Sequence, residues 1–303
     1  MIKAVIDIGS NSIKMRVARV KDGKIFVIRD ETEVVRLARG MSETGFLTEE
    51  SMNISCSAVI RMIQIAKKLK AEIFIVGTMA LRTALNSDVF INMIKQKTGF
   101  DVHIFSGTDE AVFSWRGAVD GFSTNENLIM FDSGGGSTEF VSGYEGKVNK
   151  IVSVPVGAVN LSEKFFSVYD KPIKKIFCDK AIEHVKKLFI ENNIPDFIAP
   201  SKNSKIIGVG GGVVTMASVK FACENFVPSK LHGSILTLSD IRLQIQMYSS
   251  LTLKERQNII GLPASRADII LGSACIVFTA LKMLNSKNCI ISINGLRHGL
   301  LIK

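Results

Sequence analysis

The sequence predicts a mixed α/β protein built from two similar lobes, and three observations carry that prediction. A short pattern occurs twice: residues 4–14 read Ala-Val-Ile-Asp-Ile-Gly-Ser-Asn-Ser-Ile-Lys, and residues 129–140 read Ile-Met-Phe-Asp-Ser-Gly-Gly-Gly-Ser-Thr-Glu-Phe. Both fit Asp-x-Gly-x-x-Ser. Asp7, Gly9 and Ser12 are displaced from Asp132, Gly134 and Ser137 by a constant 125 residues, which is about one domain length. Each copy lies between two strand-like runs, the second being 14–20 in one case and 138–142 in the other, so each Gly loop tips a β-hairpin. Beyond each hairpin, strands alternate with helical segments, which places helices against a mixed sheet in both halves.

The elements follow in order. Segments 1–8, 13–20 and 24–33 read as strands, with Asp22-Gly23 as a hairpin turn. Residues 48–70 form a helix whose expected apolar face carries Leu47, Met52, Ile54, Val59, Ile60, Ile63 and Leu69, with Lys67, Lys68 and Lys70 in its last turn. A strand at 72–76, helices from about Ala80 and at 88–97, a strand at 101–105 and a helix at 109–119 complete the first lobe. After a polar linker at 120–127, the three-strand opening repeats at 128–131, 138–142 and 148–156. Helices are expected at 159–166, 173–192, 213–223, 237–249 and 266–284, and strands at 205–209 and 288–293. A short helix closes the chain. The expected lobes are 1–122 and 123–303, with the last ~10 residues packing back on the first.

The 303 residues suit two domains, and 47% hydrophobic content supports sizeable cores. Charged residues at 22% and six prolines argue against long disordered segments. The formal charge of +10 favours a polyanionic partner. Five cysteines without CxxC spacing read as reduced, packed thiols of a cytoplasmic protein. The N-terminus opens into a strand, unlike a signal peptide. The uncharged run 269–281 is too short to span a membrane and reads as a buried core helix.

The Gly loops are the first functional candidates. Glycine permits positive φ and close backbone approach, so successive N–H groups can converge on an anion. Two such loops on two lobes suggest a phosphate gripped in a cleft between them. A third loop, Gly210, Gly211 and Gly212, runs strand–loop–helix and is a generic anion site. Asp7, Asp132 and Glu139 could frame a hard cation such as Mg²⁺ together with substrate phosphates. Glu110, at a helix start before the linker, could deprotonate a water that attacks phosphorus. Arg82 lies in the expected first turn of a helix, against the dipole; an anionic ligand or a neighbouring acid would account for it. The four histidines show no zinc spacing, and no Ser/His/Asp or Cys/His set stands out. Lys171, Lys174, Lys175, Lys180, Lys186 and Lys187 could track a polyphosphate or form a solvated helix face.

At this point the residues match a known family. The segments Asp7–Ser12, Gly77–Asn86, Ser106–Ala111, Asp132–Glu139, Gly208–Val213, Gly261–Pro263 with Arg266–Asp268, and Gly295–Arg297 stand in order along the chain. With them the chain resembles the exopolyphosphatase/guanosine pentaphosphate phosphohydrolase (Ppx/GppA) family, in its short two-domain form, within the actin-like ATPase superfamily. The resemblance implies an α/β fold of two actin-like (ribonuclease H-like) lobes with an interdomain active-site cleft. It implies hydrolysis of a terminal phosphoanhydride with Mg²⁺ (or Mn²⁺). Carried over by position, Glu110 would be the catalytic base, and Asp132 and Glu139 would hold the metal and help place the water. Asp7 would assist the metal. Ser10, Asn11 and Ser12, together with Gly134, Gly135, Gly136, Ser137 and Thr138, would cradle phosphate. Arg82 would bind the phosphate chain, and Gly210, Gly211, Gly212 and Arg266 would be further ligand-loop residues.

The chain departs from the family pattern at Asp109, where a second glutamate is usual, and at Ile293 and His298, where acids are usual. The short form also lacks the C-terminal extension of longer relatives, so processive action on long polymers is not expected. The leading expectation is an exopolyphosphatase acting on inorganic polyphosphate, with a guanosine pentaphosphate 5′-phosphohydrolase as the alternative. A superfamily kinase or ATPase and a phosphorylated-nucleotide sensor are the alternatives of another class. Glu110 together with Glu139 favours water as nucleophile over a kinase. Intact carboxylates near phosphate argue against a pure binder. No nucleic-acid or membrane partner is expected, and a homodimer is compatible with the family.

Overall fold

A computed structural model describes residues 1–123, 125–197 and 204–302. Thr124, inside the expected linker, lies outside the described residues. The chain forms two compact units: Met1–Gly117 together with the segment from Leu296 onward, and Ala118–Gly295.

The first unit carries β1 (Ile2–Ile8), β2 (Ser12–Lys21), β3 (Lys24–Val34), β4 (Glu72–Gly77) and β5 (His103–Ile104), in the sheet order β3-β2-β1-β4-β5. The β1–β2 and β2–β3 pairs are antiparallel, and β4 and β5 add in parallel. Asp22 and Gly23, both at positive φ, close the β2–β3 hairpin. Ile6, Ile8, Ile13, Met15 and Val17 pack against Met52, Cys56, Val59, Met62 and Ile63 of the helix Glu49–Lys68. That helix starts where Thr48 accepts a hydrogen bond from the Ser51 amide. On the other sheet face, Val5, Ala18 and Val76 pack with Leu296, Leu300 and Leu301 of the C-terminal helix Leu296–Leu301.

The second unit carries β6 (Leu128–Ser133), β7 (Thr138–Tyr144), β8 (Lys147–Val154), β9 (Lys205–Val209), β10 (Ile235–Thr237) and β11 (Asn288–Ile291), in the order β10-β11-β9-β6-β7-β8. Set aside β10 and the order and directions repeat those of the first sheet: two antiparallel pairs, then two parallel additions. Both units are thus α/β lobes of the expected actin-like, ribonuclease H-like kind. The core joins Phe131 and Phe140 to Phe189, with the Phe140 and Phe189 rings edge to face at 5.0 Å. The helix Ile270–Met283 is buried on nearly every side, as its sequence, uncharged up to Lys282, requires. Among the described residues no helix is long and apolar enough to cross a membrane. All five cysteines are buried and free of disulfides.

Three expectations need correction. The helix expected at 266–284 is broken: Ala264–Arg266 form a 3₁₀ turn and the α-helix begins at Ile270. Arg82 sits in the last turn of the five-residue helix Met79–Thr83, not in a first turn, so the dipole argument for it falls away. The strand β10 and the short helices Met41–Thr44, Pro228–Leu231 and Leu253–Arg256 were not expected; each is too short to show a period.

Candidate functional site

Both predicted hairpin loops form, and they share one backbone turn. Gly9 N donates to Ser12 O at 3.1 Å, and Gly134 N donates to Ser137 O at 2.9 Å. Neither Gly9 nor Gly134 uses positive φ. Each glycine is favoured by close approach, since a Cβ would lie 3.1 or 3.2 Å from that same serine carbonyl. In both loops the carbonyls are tied back. Ser10 O accepts from Ala38 N, and Asn11 O from Val35 N and Arg36 N. Gly134 O accepts from Ala158 N, and Gly135 O from Val159 N. Tying carbonyls to one side turns the amide edge of each loop to the other, which is the geometry of an anion cradle. Ser10, Asn11, Ser12 and Ser137 are all buried. Asn11 Nδ2 has no hydrogen-bond partner among the described residues.

The second loop is clamped by a residue that sequence reasoning missed. Asn160 Nδ2 donates to Gly136 O at 3.0 Å, and Asn160 Oδ1 accepts from Gly157 N at 2.8 Å. Gly157 presses so closely that a Cβ there would collide with the backbone of Gly135 and Gly136. Thr138 is fully buried and its hydroxyl donates to Val156 O at 2.6 Å. It therefore serves the loop's shape.

The carboxylates differ between the two units. On the first hairpin Asp7 is the cross-strand partner of Lys14. On the second, Asp132 is the cross-strand partner of Glu139. Directly opposed residues share a sheet face, so the second unit apposes two acids where the first apposes an acid and a base. Glu139 is only 1% exposed, and Ser153 Oγ donates to its Oε1 at 2.9 Å. Burial pushes the Asp7 carboxyl above its usual range, against the pull of Lys14 and Arg297.

Asp132 also meets the third Gly loop. Gly210 has φ 100°, a conformation that suits glycine, and a Cβ there would lie 3.0 Å from Asp132 Oδ1. A Cβ on Gly211 would overlap the Arg266 guanidinium, so Arg266 lies directly on the loop. Asp132, Gly210, Gly211 and Arg266 are thereby brought together within the second unit. Among the described residues no group of three or more His, Cys, Asp and Glu side chains is placed to hold a metal.

In the first unit Glu110 stands in the first turn of the helix Gly107–Val119. Ser106 and Asp109 form the cap: Asp109 N donates to Ser106 Oγ at 3.1 Å, and Ser106 Oγ donates to Asp109 Oδ2 at 2.6 Å. The shorter acid at 109 therefore has a capping role, which leaves the adjoining acid, Glu110, for Arg82. Arg82 Nη1 donates to Phe105 O at 2.7 Å and to Glu110 Oε2 at 3.3 Å. The neighbouring acid allowed for at Arg82 is Glu110.

A second cluster was not visible in the sequence. Asp30 on β3 accepts from Arg16 Nε at 2.9 Å and Nη2 at 2.6 Å, and is paired with Arg297 of the C-terminal helix. Arg297 Nη1 also donates to Met15 O at 3.0 Å. Burial pushes the Asp30 carboxyl up, but Arg297 and Arg16 outweigh it and hold the carboxyl below its usual range. His298 Nδ1 lies 3.2 Å from Arg16 Nη1. The ring of His298 thus faces the same arginine that Asp30 holds. Ile293, the other departure, packs against the core of the second unit, and its amide reaches His232 Nδ1 at 3.4 Å.

Comparison with known proteins agrees with this architecture. The profile of the Ppx/GppA phosphatase family matches residues 16–303. The chain is 29% identical to a bifunctional 3-dehydroquinate synthase/phosphatase of Fusobacterium nucleatum over 97% of its own length and 45% of that protein. It is 27% identical to exopolyphosphatase 2 of Mycobacterium tuberculosis over 90% of its length and 88% of that protein. The solved Aquifex aeolicus PPX-GPPA enzyme superposes with a TM-score of 0.81 at 28% identity, covering 100% of this chain and 99% of that one. The chain spans about half the length of the Fusobacterium relative. With both hairpin loops, the acid pair and the profile match in agreement, the chain belongs to the Ppx/GppA phosphatase family.

Proposed function

We propose that the protein is an exopolyphosphatase that hydrolyses the terminal phosphoanhydride of inorganic polyphosphate. The observation that carries the reading is the pair of matched loops, one of them flanked by two acids in register, Asp132 and Glu139. Two carboxylates directly opposed on a sheet repel one another, and a cation relieves that repulsion. Oxygen donors of this kind suit Mg²⁺ or Mn²⁺, which bind through one or two carboxylates plus substrate phosphates and waters. Asp132 and Glu139 would be the principal ligands, and Asp7, opposite Lys14, would assist. The ion, when bound, would neutralise phosphate charge.

In this reading the amides of Ser10–Ser12 and Gly134–Ser137 bind the terminal phosphate oxygens. Glu110 takes a proton from the attacking water as its oxygen bonds to phosphorus. The bridging P–O bond breaks, and the shortened chain leaves with the electron pair. Arg82, anchored on Phe105 O, orients Glu110 and contacts the phosphate chain. Glu110 belongs to the first unit and the acid pair to the second. The net charge of +10 supports a polyanionic substrate. Five buried free cysteines support a cytoplasmic setting.

The test is phosphate release, with Mg²⁺, from long-chain polyphosphate, short-chain polyphosphate and guanosine pentaphosphate, beside Glu110→Ala. The reading expects release from polyphosphate that falls at least ~100-fold in the variant. A preference for guanosine pentaphosphate would reassign the substrate. Release undiminished in the variant would remove Glu110 from its role.

A further inference from the structure

Arg256 is among the largest completely buried side chains of the chain. It ends the short helix Leu253–Arg256, which Thr252 and Glu255 cap reciprocally. Its Nη1 donates to Ala267 O at 3.1 Å, while Nε and Nη2 have no hydrogen-bond partner among the described residues. Burial disfavours its charge, and Asp268, Tyr169 and Cys178 favour it. A buried guanidinium with most donors unmatched by the surrounding protein costs more than an apolar side chain of similar shape would. Stability therefore gives no reason for an arginine here.

The placement of its hydrogen bond gives one. Ala267 lies between Arg266 and Asp268, at the end of the 3₁₀ turn Ala264–Arg266. Arg266 lies on Gly211, and the preceding Gly210 abuts Asp132. We propose that Arg256 is a positioning residue: its grip on the Ala267 carbonyl fixes the 264–268 turn, which seats the Arg266 guanidinium on the Gly210–Gly212 loop as an anion contact beside Asp132. The glycine at 211 then has a definite reason, since any side chain there would displace that guanidinium. The anion-contact half of this inference rests on the function proposed above; the positioning half does not.

The test compares Arg256→Met, Arg256→Lys, Arg266→Met and the Arg256→Met/Arg266→Met double variant in the full chain. Amide hydrogen exchange without substrate reads the positioning directly, because Arg266 N donates to Pro263 O and Val214 N to Gly210 O. Arg256→Met is expected to melt no lower than wild type. It should exchange about tenfold faster at 264–268 and 210–214 only, a change of about 1.4 kcal/mol in local opening. Arg256→Lys should restore most of the protection. With tripolyphosphate as substrate, Arg256→Met should raise KM about tenfold while kcat changes less than about threefold, and should add little in the Arg266→Met background. Exchange unchanged at these segments, or raised throughout with a lower melting point, would overturn the inference. Should wild type not hydrolyse tripolyphosphate, the exchange result still decides the positioning role, and it is the proposed function that fails.

Discussion

The two hairpin loops occupy equivalent places on sheets of the same order, and they close with the same Gly-to-Ser hydrogen bond. They differ in what lies opposite the aspartate: Lys14 faces Asp7, and Glu139 faces Asp132. They differ also in what holds them. The turn that follows β3, residues 35–38 with Arg36 at positive φ, ties down the first loop, which carries side chains at Ser10 and Asn11. A helix start ties down the second, and Gly157 comes so near that a Cβ on it would collide with the backbone of Gly135 and Gly136. One scaffold has thus been given two electrostatic characters. The first register pairs opposite charges, whereas the second opposes like charges, a repulsion that the proposed cation would relieve.

The comparison can be broken by steric means first. Gly157→Ala should drive a methyl into the backbone of Gly135 and Gly136 and cost about 3 kcal/mol or prevent folding. Urea denaturation measures it, and a loss below about 1 kcal/mol would show that the second loop is not clamped as described.

The next effect concerns the first unit alone. Asp30→Asn should cost about 2 kcal/mol, because it leaves the buried Arg16 and the half-buried Arg297 without their carboxylate. The pH dependence has a definite sign. The Asp30 carboxyl is held below its usual range, so its contribution is present above pH ~4 and is lost as pH falls through the lowered value. The variant's stability should therefore fall less steeply on acidification than wild type's; parallel curves would remove Asp30 from the account.

The smallest effect sharpens the comparison most. Lys14→Glu copies the acid–acid register of the second unit into the first and should cost about 0.5–1 kcal/mol by denaturation. No loss would mean that the registers are energetically indifferent.

Much of this was legible in advance, for physical reasons. The hairpins are local, and their turn residues are chemically specific: Asp22-Gly23 and Glu145-Gly146 both take positive φ. The difference between Lys14 and Glu139 was also within reach, since each stands seven residues after its aspartate and a symmetric hairpin puts them opposite. The Asp30 cluster was not legible. Arg297 and His298 meet Asp30 and Arg16 across more than 260 residues of sequence, with no local pattern to announce it. Arg256 was hidden for a different reason: a lone arginine beside a capping box reads as a solvated charge, and only burial reveals otherwise. The helix break before Ile270 was masked by the long apolar run that follows it from Ile269.

The central claim is that the acid pair of the second unit is the cation site, and thermal denaturation across a Mg²⁺ titration tests it most directly. Wild type should melt higher as Mg²⁺ rises, by about 2.7 kcal/mol of added stability at a hundred times the dissociation constant. Glu139→Gln should melt no lower than wild type without Mg²⁺ and show no rise with it, while Lys14→Glu should keep the rise. A rise that survives Glu139→Gln but vanishes in Asp7→Asn would contradict the account.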